Sequence, residues 1–467
     1  ARALSRCVLE QVFEAWKNPL ERAALEVGRS CPGCGHERKC KTRPEHPMRL
    51  KLLGLELTVP KLYLECDQCE APGVSITRLL TGLSSGDTSA ELGLAAAYCA
   101  AQHSYGKASR DLQVHYGRPV ERTLVRRMAL EVEHQALMFA QGQRKEALER
   151  ISGERKTVGL AQLMLQGDGG TVRTGVLLPC ERGDPGYGKK TLKRGGLRRK
   201  RPEQKRELIT LDVRQPDESE PSALDVVVPI TAAEGEREGR MLALAARKGL
   251  GDNTQVIGLG DLGSRLPQAF DEAFVGYNAL YSGDWKHTCN YVENAGAVLE
   301  GIDSCRWQRK MKDALWKRNE RVRDRLLAQA HDHRVAKLPE HLERCPVQSL
   351  DTYVHNNWKY LQAARLKEMG VDFVSARAEA QVRDRTKARF RVPGAWREEN
   401  LEGKATLRAI IAEGSWLKFR AHYIQQAALQ FDQQFQQRLK QAVAQGRIRP
   451  ILTGHGAKGQ ETSRLAA

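Results

Sequence analysis

Two short cysteine pairs constrain this chain more than any other feature. "CPGC" at Cys31 and Cys34 and "CDQC" at Cys66 and Cys69 are Cys-x-x-Cys knuckles, each able to give a tetrahedral Zn²⁺ two thiolates. The 31 residues between Cys34 and Cys66 exceed the spacing of a short ribbon. The intervening "LKLLGLELTVPKLYLECDQC" reads as strands, so a hairpin would bring the knuckles together. A site using His36 or Cys40 instead, or four unconnected thiols, is the competing reading. A closed four-thiolate site leaves no open coordination position, so its role would be structural.

The remaining text places this module among other domains. At 467 residues the chain exceeds what one core usually organises. Residues 4 to 27 read as an amphipathic helix, with Leu4, Val8, Val12 and Trp16 about one turn apart. Residues 88–102, 104–115 and 119–140 read as three helices, with "YGRPVERT" as the last turn, and a charged helix follows to about Arg155. Gly117 suits the turn and Pro119 the start of the next helix, whose early turns carry Arg122, Thr123, Arg126 and Arg127. That spacing fits a helix-turn-helix, whose arginines either clamp DNA or are ordinary helix-surface charge.

Charge points to the partner. Lys and Arg outnumber Asp and Glu by 75 to 57, a formal net charge of +18, which favours a polyanion held by phosphate neutralisation. The basic block "KKTLKRGGLRRKRPEQKR" holds ten cations and one acid from Lys189 to Arg206. It reads as a flexible arm or solvated loop whose Lys189, Lys190, Lys193, Arg194, Arg198, Arg199, Lys200 and Arg201 track DNA phosphates. No apolar run reaches transmembrane length and the first thirty residues lack a secretory pattern, so a cytoplasmic protein without a membrane partner is expected.

From residue 156 the texture changes. "LAQLMLQGD", "TGVLLP" and "ELITLDVR" read as strands, and "TQVIGLGD" and "NALYSGD" follow after the helical "REGRMLALAARKGL", giving an α/β region. Residues 290–369 are almost wholly helical in pattern, 376–391 read as another helix, 402–446 as a long one, and the last twenty as a flexible tail. Asp168 ends the first of these strands, Asp261 ends "QVIGLGD", and Glu379 sits in the helix "SARAEAQVRDRTKARF". Strand-end aspartates and a helical glutamate are hard oxygen donors of the kind that two-metal phosphoryl transfer requires. Each acid taken alone is more often a loop or surface group.

The succession "QGDGGTVRTG", "GLGDLGSRLPQAF", "DWKHTCNYVE", "YVHNNWKYLQAARLKEMG" and "ARAEAQVRDRTKARF" with "PGAW" resembles the DDE transposases of the bacterial ISKra-type insertion sequences, relatives of the Mutator-like group. The resemblance spans approximately residues 30 to 415. It implies a ribonuclease-H-like catalytic core, Mg²⁺ or Mn²⁺ held by Asp168, Asp261 and Glu379, and Asp284 and His287 as an Asp-x-x-His element. Asp284 stays open as an alternative to Asp261. His287 is read either as orienting DNA phosphate or as a core histidine.

The expected protein is a multidomain α+β chain. Its parts are an N-terminal helix (1–29), a zinc ribbon (30–80), a helix-turn-helix region (81–155), the first part of the core (156–289), a helical insertion (290–369), the final core helix with the glutamate (370–410) and a C-terminal helix with a tail (411–467). Its partners would be double-stranded DNA, as transposon ends and target, and further copies of itself in a homodimer or larger assembly. A retired relative that binds DNA without strand transfer, and an RNA-directed nuclease on a similar core, are the alternatives.

Overall fold

The computed structural model describes residues 28–53, 55–81, 87–117, 119–153, 158–174, 177–179, 197–199, 205–215, 223–227, 235–262, 265–335, 344–374, 390, 396 and 400–448. The chain divides into two units, one of residues 1–100, 104–129 and 420–467, the other of residues 101–103 and 130–419. The expected helix over 4–27, most of the helix over 376–391 and the terminal tail lie outside the described residues.

In the first unit, β1 (Lys39–Leu52) and β2 (Leu55–Glu65) form an antiparallel hairpin. Its register shifts between Arg43 and Met48, where Pro44 and Pro47 remove two ladder donors. The short β3 (Val74–Ser75) adds to β2 and leads into α1 (Ile76–Thr81), with the Leu62 amide donating to Thr77 Oγ1 at 2.9 Å. Leu62, Leu64, Val74, Ile76 and Leu79 bury against Ala442 and Ile448.

Next come α2 (Ala90–Gln102), α3 (Tyr105–Tyr116) and α4 (Arg122–Ile151). Ser104 caps α3 by accepting from the Lys107 amide, and Gly117 ends it at φ 65°, a left-handed conformation that glycine adopts at low cost. The separate helices expected from 119 to about 155 are one continuous helix of 30 residues. "GQRKEALERI" has no proline and is rich in strong helix formers, so the lone Gly142 does not interrupt it.

The second unit is built on a five-stranded mixed sheet in the order β10-β9-β4-β7-β8. Here β4 is Gln162–Arg173, β5 Leu177–Pro179, β6 Leu197–Arg199, β7 Lys205–Arg214 and β8 Ala223–Val227. Strands β4, β7 and β8 run antiparallel in succession. After them α5 (Glu236–Lys248), β9 (Gln255–Gly260), α6 (Leu266–Ala273) and β10 (Asn278–Gly283) alternate, and β9 and β10 run parallel to β4. Among the described residues, the short β5 and β6 form a separate two-stranded sheet.

Alternation along β4 sorts its side chains between two layers. Leu163 and Leu165 join Leu211, Val213 and Val256 in the main core, which also takes in Leu244 of α5 and Phe270 of α6. Met164 instead packs with Ile257, Leu259, Leu366 and Val371 on the opposite face.

The region expected to be helical contains α7 (Trp285–Gly296), α8 (Ser304–Trp316), α9 (Glu320–Asp332), α10 (Pro346–Asn357) and α11 (Ala363–Glu368). The long helix expected over 402–446 is two, α12 (Leu401–Ala412) and α13 (Trp416–Ala444), because Gly414 turns the chain at φ 80°.

One ion pair in this unit is sealed from water: Lys404 on α12 donates to Glu133 on α4, with side-chain exposures of 0% and 3%. Breaking such a pair leaves a buried charge uncompensated. Lys404→Met is therefore expected to destabilise the unit by about 3–5 kcal/mol, and adding Glu133→Leu to recover most of the loss. Urea unfolding checks both, and a double variant no more stable than the single one contradicts the account.

Candidate functional site

The hairpin closes the gap between the knuckles as the sequence suggested. Lys39 opposes Glu65 at its open end, so the turn holding Cys31 and Cys34 meets the one holding Cys66 and Cys69. Within the first turn the Gly35 amide donates to the Cys31 carbonyl at 2.9 Å, with Gly35 at φ 79°.

The pairs Cys31–Cys69 and Cys34–Cys66 each have sulfurs 3.5 Å apart, and all four sulfurs lie within 4.8 Å of one another. Tetrahedral Zn–S bonds of about 2.3 Å place sulfurs about 3.8 Å apart, so the four could hold a zinc ion. His36 and Cys40 do not join the group; Cys40 opposes Leu64 in the hairpin.

Crowding of the sulfurs drives Cys31 and Cys69 in opposite directions. Burial acts to raise Cys31, but the Cys34 and Gly33 amides and the neighbouring thiols pull it down to about 6. Cys69 is pushed up to about 12: its hydrogen bond to the Ala71 backbone acts downward, while Cys31, Cys34, burial and Cys66 act upward.

The acidic residues stand elsewhere, at one end of the sheet. Gly167 pairs with Gly260, and Gly260 with Gly283, so three glycines form a row across β4, β9 and β10. Asp168, Asp261 and Asp284 each follow one of them. Strand spacing separates neighbouring positions of this row by about 4.8 Å, and the three carboxylates do not come together as a close ligand group.

Asp168 does not end its strand: β4 loses its partner β9 after Gly167 but stays paired to β7 as far as Arg173. Alternation places Asp168 on the Met164 face, where Leu366 and Val371 pack.

Two of the three glycines are fixed by close packing, whereas a Cβ on Gly167 would meet its nearest neighbour, Leu266, at an ordinary 3.4 Å. A Cβ on Gly260 would come 2.3 Å from the Gly167 carbonyl oxygen, and one on Gly283 would come 2.6 Å from Leu262. Gly260→Ala is expected to cost about 1–3 kcal/mol through overpacking. Denaturant unfolding at wild-type stability would show the row to be less tight.

Asp284 is buried and caps α7, its Oδ1 accepting from the His287 amide at 2.9 Å. The expected Asp-x-x-His element is thus joined through the histidine backbone. The His287 ring lies 5.9 Å from Tyr291.

Three buried or half-buried tyrosines feel the charge of Asp261, and sequence reasoning did not single them out. Tyr281 Oη donates to the Asp261 carbonyl at 3.2 Å; its phenol is held well above the ordinary value by burial first and then by charges including Asp261 and Asp168. Tyr291 is raised by burial and by Asp261. Tyr353 is raised mainly by burial, against the hydrogen bond with Thr288, with Asp261 and Asp284 adding to the rise. Tyr291 and Tyr353 stack with centroids 4.1 Å apart.

Glu379 lies outside the described residues, between two anchored points. The Phe373 carbonyl accepts from the Trp285 amide at 3.1 Å, and Trp396 bridges Thr174 just past β4. Among the described residues, the cysteine quartet is the one set of three or more potential ligands that meets closely enough to hold a metal.

Of the basic arm, Lys189, Lys190, Lys193, Arg194, Lys200 and Arg201 lie outside the described residues. Arg198 and Arg199 sit on β6, opposite Leu178 and Leu177, so this part of the expected loop is a short strand. Arg122, Arg126 and Arg127 are exposed on the first turns of α4, with Val125 and Met128 turned inward.

No protein-family model matches the chain, and no curated protein matches it. Among solved structures, the Drosophila P element transposase strand transfer complex aligns with 81% of this chain and 96% of its own at 12% identity. Its TM-score of 0.25 is too low to bear on fold or function. No helix among the described residues is long and apolar enough to cross a membrane.

Proposed function

We propose that this chain is a DDE-type DNA transposase whose core is ribonuclease-H-like. The observation that carries this reading is the row of Asp168, Asp261 and Asp284, one residue beyond paired glycines on three adjacent strands. The strand sequence supports it: three antiparallel strands, then two parallel strands reached through helices, with the first strand central.

Asp168 and Asp261 would hold two Mg²⁺ or Mn²⁺ ions together with Glu379. Neighbouring carboxylates on rigid strands suit hard divalent cations, and Asp284 is less suited because one of its oxygens caps α7. When bound, the ions supply the charge stabilisation that phosphodiester chemistry needs.

In this reading the core is split between 156–289 and 370–410, with residues 290–369 as an insertion. Water attacks a phosphodiester at the element end, the bond to the 3′ oxygen breaks, and a 3′ hydroxyl and a 5′ phosphate result. That hydroxyl then attacks a target phosphodiester and expels its 3′ oxygen. The tyrosines around Asp261 limit water on one side of the acids, and His287 orients the phosphate.

Arg122, Arg126 and Arg127 clamp element ends, the arm from Lys189 to Arg201 neutralises backbone phosphate, and the four cysteines hold a structural zinc. Joining two ends calls for at least a homodimer. The test is divalent-dependent nicking of DNA carrying the element ends. Salt-sensitive binding without nicking by the wild-type chain overturns the enzyme reading in favour of a retired DNA-binding relative.

A further inference from the structure

The surface of α8 has a charge pattern that its neighbour α9 lacks. From Arg306 to Lys317 every exposed residue is charged: Arg306, Arg309, Lys310, Asp313 and Lys317. Their spacing of three and four residues places them on one face, while Trp307, Met311, Ala314 and Leu315 are buried on the other. Four of the five are cations, and the single acid, Asp313, pairs with Lys317 at 2.9 Å. Lys312, off this row, is committed to Glu293 at 2.6 Å.

A merely solvated helix face interleaves the two signs. That is the pattern of α9, where exposed Arg321 and Arg325 alternate with Glu320, Asp324 and Asp332. The α8 row has no such balance. It extends about 16 Å along the helix axis at 1.5 Å per residue, long enough to meet successive phosphates of a duplex.

We infer that the exposed face of α8 is a second phosphate-tracking surface for double-stranded DNA, formed by Arg306, Arg309, Lys310 and Lys317. It rests on the proposed transposase function and adds a contact within the helical region that neither the arm nor the α4 arginines provide. The contact is sequence-independent, because a row of cations on a helix flank reads charge and not base edges.

The test is fluorescence anisotropy of the full chain with a labelled mixed-sequence DNA duplex, measured across a salt series. The variant Arg306→Gln/Arg309→Gln/Lys310→Gln/Lys317→Gln is expected to reduce the slope of log K against log [salt] by about 3. Arg321→Gln/Arg325→Gln on α9, compared with Arg306→Gln/Arg309→Gln on α8 so that two charges are removed in each, serves as control for net charge and is expected to leave the slope nearly unchanged. Circular dichroism matching the wild type shows that the variants fold.

Equal slopes for the wild type and the α8 variant overturn this inference alone, as do equal losses in the α8 and α9 variants. A wild-type chain that shows no salt-dependent duplex binding overturns the transposase reading, and this surface with it.

Discussion

Asp168→Asn is expected to lower divalent-dependent nicking by about a thousandfold or more while duplex binding persists. Replacing the carboxylate by an amide of the same shape removes charge from the acidic row without adding bulk to β4. Groups that act as one unit lose most of their effect when any member is removed. Asp261→Asn and Glu379→Gln are therefore expected to give similar losses, and combining them to add little.

Asp284→Asn should behave differently, because asparagine also caps helices and can still accept from the His287 amide. Stability is expected to stay near wild type and nicking to fall far less. A tolerant Asp261→Asn with an inactive Asp284→Asn would reverse the assignment of the second ligand. Full nicking by Asp168→Asn would remove the acidic row from the chemistry altogether.

The second large effect is expected at the knuckles. Structural zinc contributes about 10–16 kcal/mol of apparent binding energy in small metal-folded modules, where binding and folding are one process. The hairpin core here is small, built on Leu62, Leu64, Val74, Ile76 and Leu79 with two residues of the C-terminal segment. Cys66→Ser, or a strong chelator, is expected to reduce zinc from about one ion per chain to none and to melt the hairpin. His36→Ala and Cys40→Ser are expected to leave the metal in place, since neither residue is in the sulfur group. Unchanged zinc content and hairpin stability in Cys66→Ser would contradict the site.

How far the sequence could be read depended on the range of each interaction. The knuckles were legible because Cys31 and Cys34, like Cys66 and Cys69, meet across a single turn. The strand segments were legible from apolar runs such as "LAQLMLQ", although the end of β4 was not. Its last residues, "GDGGTVR", are held by pairing to β7, which composition does not display. The alignment of Asp168, Asp261 and Asp284 depends on inter-strand register, a property of the folded sheet.

Smaller features divide in the same way. "SGDWKH" contained a helix-cap signal in Asp284, the aspartate just ahead of α7. The tyrosines around Asp261 come from β10, α7 and α10, and only folding collects them. Gly414 was readable as a breaker, but the apolar periodicity on both sides of it suggested one helix.

The anchors at Phe373 and Trp396 join elements that lie far apart in the sequence. The Phe373 carbonyl accepts from the first amide of α7, and Trp396 bridges the residue just past β4. Trp285→Pro would remove the donor of the first contact while leaving a residue suited to a helix start, so the two fastenings can be cut independently of each other.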